Sequence, residues 1–101
     1  AGLSAERLYS LLRLRAEVFV VEQNCVYQDL DNLDLDARHF WIEDSKGPAS
    51  YLRMMDEGPR RRIGRVVTRH DARSSGLARR LLAHALAHSD GPWLLAAQTY
   101  L

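Results

Sequence analysis

IGRVVTRHDARSSGLARRLLAHALAH, residues 63–88, divides into a strand, a polar loop and an amphipathic helix. Ile63, Val66 and Val67 are β-branched and suit a pleated, half-buried surface. Leu77, Leu81, Leu82, Ala85 and Leu86 recur at helical spacing, whereas Arg79, Arg80 and His84 fall on the wetter side. Arg73, Ser74, Ser75 and Gly76 make the loop between them. A loop that opens a helix aims several unpaired backbone N–H groups, and the positive end of the helix dipole, at one point. That point suits phosphate. Gly76 lets the backbone come close, Ala78 leaves the first turn unobstructed and Arg73 supplies charge. The stretch has neither the Gly-Lys-Ser/Thr ending of a nucleotide P-loop nor a Gly-x-Gly-x-x-Gly run. The same residues also allow a plainer reading, a strand joined to a surface helix by an ordinary loop.

Working outward, 101 residues with a 47% hydrophobic and 27% charged composition predict one domain over residues 1–101. A formal net charge of +1 gives no general case for nucleic acid or an anionic membrane surface. No apolar run approaches the ~20 residues needed to cross a bilayer. The opening AGLSAER lacks the basic and apolar regions of a signal peptide. A single cysteine, Cys25, makes a reducing cytoplasm the expected setting, and the absence of an initiator Met leads us to expect residues upstream. Charge is uneven along the chain. Residues 22–44 hold Glu22, Asp29, Asp31, Asp34, Asp36, Glu43 and Asp44 against Arg38. Residues 60–80 hold Arg60, Arg61, Arg62, Arg65, Arg69, Arg73, Arg79 and Arg80 against Asp71. This division suits an anionic cofactor and a cationic substrate, or else two solvated faces.

Toward the N-terminus, Ser4 is an N-cap, Glu6 favours the dipole, and Leu8, Leu11, Leu12, Val18 and Phe19 form a stripe. A helix over 5–17 is expected, with the β-branched run 18–21 as its end or an extended link. Residues 22–38 look irregular, because Asp and Asn prefer turns and caps. Asp29, Asp31 and Asp34 lack the glycine and the terminal glutamate of a calcium-binding EF-hand. A loop this long is often functional and is expected to border the acceptor site. Strands are expected over 39–43, 49–55, 62–68 and 93–97. The first three form an antiparallel meander, and the helix after the third returns the fourth as a parallel neighbour. The expected fold is therefore α/β (α+β), with a mixed, mostly antiparallel central sheet flanked by helices.

These residues resemble a known family. The run from Val66, Val67 and Thr68 through Arg73, Ser74, Ser75, Gly76, Leu77 and Ala78 is similar to the acyl-CoA motif of GNAT N-acetyltransferases, Arg/Gln-x-x-Gly-x-Gly/Ala. Residues 14–31 (LRAEVFVVEQNCVYQDLD), with Arg38 and His39, Tyr51 to Arg53, and Ile63 to Val67, resemble the ElaA-like subgroup. That subgroup commonly has Gly where Ser74 stands and Pro where Val26 stands. It also has a strand before the first helix, and a further helix and hairpin after the last strand read here. The resemblance implies that this chain is incomplete at both ends.

The implied reaction moves an acetyl group from acetyl-CoA, a cosubstrate, to an amine by direct attack, with no metal. Val67 main-chain groups would hold the pantetheine like an added strand and polarise the thioester oxygen. The amides of 73–78 would cradle the pyrophosphate, with Arg79 near phosphate or ribose. A lysine-type amine has a pKa near 10.4, so losing its proton needs help. Glu22, His39 and Glu43 are the general-base candidates. The proton for the leaving thiolate would come from a tyrosine beyond Leu101, a role not transferred to Tyr100. The acceptor amine is unspecified, a homodimer is left open, and no nucleic-acid or membrane partner is expected. A non-catalytic acyl-CoA-binding or protein-interaction module is the alternative. Cys25 is expected to pack against neighbours rather than act as a nucleophile, His84 and His88 to be surface residues rather than a metal pair, and Trp41 and Trp93 to belong to the core.

Overall fold

The computed structural model describes residues 3–22, 31–73 and 75–95, and the side chains of 20–22 lie outside that description. Helix α1 (Ala5–Ala16) begins as expected, with Ser4 Oγ accepting from the Arg7 N–H at 3.1 Å. It does not give way to an extended link. A π-helical turn, Glu17–Glu22, continues it. The buried positions Leu11, Leu14, Arg15, Val18 and Phe19 keep helical spacing straight through the junction. Burial of Val18 and Phe19 overrides the weak helix propensity of β-branched residues. A short 3₁₀ turn, Asp34–Asp36, precedes the sheet.

Strands β1 (Arg38–Asp44), β2 (Gly47–Glu57) and β3 (Arg60–Thr68) form the antiparallel meander. Helix α2 (Leu77–Ala87) carries the chain to β4 (Trp93–Leu95), which lies parallel to β3. The sheet order is β1-β2-β3-β4. Residues 96 and 97, read as part of the fourth strand, lie outside the described residues.

Alternation along β2 divides the core between two faces. On one, Tyr51 and Val67 pack with Leu11, Leu14, Val18 and Phe19, flanked by Leu3 and Trp41. On the other, Leu52, Met54 and Ile63 pack with Leu81 and Ala85, flanked by Phe40, Ile42, Val66, Leu82 and Leu86. Being covered on both faces, β2 is buried from Ala49 to Met54 without a break. Trp93 corrects one expectation. It is 41% exposed among the described residues, with its indole N–H donating to Ser89 Oγ at 3.0 Å. No described helix is long and apolar enough to cross a membrane.

Candidate functional site

The β2/β3 register slips by one residue. Tyr51 faces Val67 and Arg53 faces Gly64, so Leu52 is opposed by both Arg65 and Val66. This is a β-bulge, with Arg65 at φ +53°. The extra residue changes which main-chain groups face which neighbour. Before it, the Arg61 N–H turns toward the β4 side and donates to the Pro92 carbonyl at 2.9 Å. After it, the Arg69 N–H turns the other way, to the Ala49 carbonyl at 2.7 Å. Antiparallel pairing alternates in steps of two, so Val67 also turns its main chain to β2, while Val66 and Thr68 turn theirs away. Ser50 Oγ further donates to the Val67 carbonyl at 3.0 Å. The sequence reading assigned the thioester contact to Val67. The register turns the Val67 main chain to β2, and the Val67 side chain belongs to the core.

From Thr68 the chain passes through Arg69 and a 3₁₀ turn, His70–Ala72, to the loop and α2. Arg69 ties this exit to the β1/β2 turn. Its guanidinium contacts Asp44 at 2.5 Å, Asp71 at 2.6 Å and the Pro48 carbonyl at 3.1 Å, while Lys46 reaches Asp71 at 2.9 Å. Arg73 Nε donates to the Thr68 carbonyl at 3.0 Å, so this cation lies at the end of the same edge. Ser75 Oγ donates to the Ala72 carbonyl at 2.7 Å, and Ser74 lies outside the described residues. Gly76 is the N-cap of α2 at φ +74°, and a Cβ there would meet nothing within 4 Å.

The first ladder bond of α2 is Arg80 N–H to the Gly76 carbonyl at 3.1 Å. The amides of Leu77, Ala78 and Arg79 thus precede the first intrahelical donor. Among the described residues no side chain caps this end and no acid stands in its first turn, whereas Arg79 and Arg80 are exposed beside it. An anion is the species that such an end accommodates.

The base candidates fare differently. His39 Nε2 lies 2.9 Å from the Asp34 carbonyl, which only accepts, so Nε2 carries a proton. Nδ1, 2.6 Å from Tyr51 Oη, is then the acceptor for that hydroxyl. Burial lowers the His39 pKa and raises that of Tyr51 to about 12. His39 is thus held neutral with both nitrogens engaged. Glu43 is engaged by Arg7 and accepts from the Trp41 indole N–H at 3.0 Å. The Glu22 backbone ends the π-helical turn, and its side chain lies outside the described residues, as does Cys25. His84 and His88 stack on each other with ring centroids 4.0 Å apart.

One cluster was missed by the sequence reading. Arg15, fully buried, lies 2.5 Å from Asp34. Arg53 pairs with Asp34 at 3.1 Å and with both oxygens of Asp31 at 2.8 and 2.9 Å. Arg65 reaches Asp31 at 3.3 Å. The available signal was Arg15 itself, a charge on the apolar stripe between Leu14 and Val18.

This pairing corrects the expected segregation of charge. Asp31 and Asp34 are committed to arginines rather than offered to a cation. Arg60 and Arg62 pair with Glu57, and Arg61 with Asp56, at the end of β3 away from the loop.

No protein-family model matches the chain. A UPF0039 protein of Mycobacterium tuberculosis is 50% identical over 107 residues, covering 98% of this chain and 69% of that protein. The crystal structure of an acyl-CoA N-acyltransferase from Pseudomonas aeruginosa superposes with TM-score 0.90 at 40% identity, over 98% of this chain and 75% of that one. Escherichia coli ElaA gives TM-score 0.89 at 37% identity, over 99% and 74%. With a mixed four-stranded sheet and two helices arranged as in these proteins, the chain belongs to the ElaA-like (UPF0039) family of GNAT-type acyltransferases.

Proposed function

We propose that this protein transfers an acetyl group from acetyl-CoA to a primary amine of a small molecule or peptide, by direct attack of the amine on the thioester. One observation carries the reading. The edge turned outward by the β3 bulge at Val66 and Thr68 leads directly to the uncapped, arginine-flanked start of α2. In this reading the pantetheine arm lies along that edge, and an outward amide polarises the thioester oxygen. The pyrophosphate sits on the amides of 73–78, with the open space over Gly76 admitting it and Arg79 adding charge. Glu22 is assigned the general base, since His39 and Glu43 are committed to neighbours. A single cysteine in the sequence supports a reducing, cytoplasmic setting.

Acetyl-CoA is expected to raise the melting temperature of the protein, equivalent to about 2.7 kcal/mol at 100 times Kd. Gly76→Trp, which fills the space over the helix start, should remove the shift. Release of the coenzyme A thiol should then depend on an added amine, and a panel of amine classes identifies the acceptor. Absence of any shift at saturating acetyl-CoA would refute the cofactor assignment.

A further inference from the structure

Arg65 holds a left-handed backbone conformation that ordinarily selects glycine, and the neighbouring Gly64 does not take it. No glycine freedom keeps the bulge in place, so something outside the strand must. The far end of the same side chain supplies a candidate. Arg65 Nη2 lies 3.3 Å from Asp31 Oδ2. Asp31 is itself gripped by both Nη atoms of Arg53, the residue opposite Gly64 in the register. Arg53 is 6% exposed and its Nη1 also reaches Asp34, which anchors to Arg15 of α1. The Leu33 N–H donates to Asp31 Oδ1 at 3.2 Å, fixing the carboxylate from its own loop. One carboxylate thus joins the loop before β1, the central strand and the bulge.

Resting on the acyl-CoA reading above, we propose that Asp31 is a positioning residue. Through Arg53 and Arg65 it holds the β3 bulge in register, and thereby aims the Val66 and Thr68 main chain at the acyl-CoA arm. It touches no reacting atom. Paired in this way its carboxyl is pulled down to about 2, chiefly by Arg53, so the charge persists throughout the working pH range. Without the tether, Arg65 relaxes from the left-handed region, the extra residue is no longer confined to one place, and the outward edge loses its aim.

Titration calorimetry of the intact protein with acetyl-CoA tests this. Asp31→Asn should raise Kd about tenfold, the order expected from releasing one left-handed non-glycine residue. Adding Arg65→Gly to Asp31→Asn should restore most of the affinity, because glycine adopts φ +53° without a tether. A role confined to stability predicts no such rescue. Wild-type affinity in Asp31→Asn, or a loss that Arg65→Gly leaves untouched, overturns the proposal. If Asp31→Asn does not fold, Arg65→Val and Arg65→Gly decide. Valine disfavours the left-handed region and should bind more weakly than glycine, and equal affinities overturn the proposal. Wild-type protein that does not bind acetyl-CoA at all brings down the acyl-CoA reading and this inference with it.

Discussion

At the scale of single residues, His39 shows how an apparent catalytic group becomes part of the framework. Its position at a strand start was readable, but its partners were not, since the Asp34 carbonyl and the Tyr51 hydroxyl come from separate parts of the chain. Burial lowers its pKa from 6.5, so the unfolded chain takes up the proton first as pH falls. The stabilisation from keeping His39 neutral is complete above pH 6.5 and declines as pH drops toward the folded-state value. Asp31 and Asp71, both lowered to about 2, act in the same direction at lower pH, their stabilisation being lost as pH falls below 3.8. Denaturation measured inside the His39 window and above the carboxylate one, from about pH 5 to 6.5, should show a slope that His39→Gln removes. A wild-type curve already flat there would contradict the neutral assignment. Tyr51→Phe should cost about 1–3 kcal/mol, because it leaves a buried ring nitrogen without its donor.

At the scale of elements, the three long strands were visible as β-branched and aromatic runs between turn residues, and α2 as an apolar stripe at helical spacing. The bulge was not, because its left-handed residue is an arginine and the glycine beside it is a misleading cue. That one hidden residue decides that the Val66 and Thr68 main chains, not that of Val67, turn away from β2. Of the two readings of Val18 to Val21, the helix end holds and the extended link does not, since local propensity yields to the burial of Val18 and Phe19. Gly76 is the opposite case, where residue type announced the geometry. Its φ of +74° makes alanine unfavourable by about 1–2 kcal/mol even though space is open around it. Gly76→Asn should cost less than Gly76→Ala, as asparagine tolerates the left-handed region better. Chemical denaturation of the two variants measures the difference, and an identical loss would point to packing rather than backbone conformation.

At the scale of the whole molecule, charge that looks segregated along the chain is interleaved in space, because strand pairing and the α1 contact bring acidic and basic segments together. The arginine run is answered by Asp56 and Glu57, and two acids of the loop before β1 by three arginines. What remains distinctive near the proposed site is local, a helix start without an acid in its first turn. On the proposed function, the acceptor amine reacts in its neutral form. An amine with a pKa near 10.4 is almost wholly protonated at neutral pH, and its reactive fraction grows about tenfold per pH unit. With chemistry limiting, log kcat/KM for acetyl transfer should therefore rise with a slope near one through neutral pH. His39→Gln should lower stability while leaving that slope unchanged, because a ring held neutral by two hydrogen bonds is not the group that collects the proton. Glu22→Gln should lower kcat at every pH, with little change in the Kd for acetyl-CoA. A plateau beginning near the His39 pKa, abolished by His39→Gln, would instead return the base role to the histidine and require its bond from Tyr51 to open during turnover.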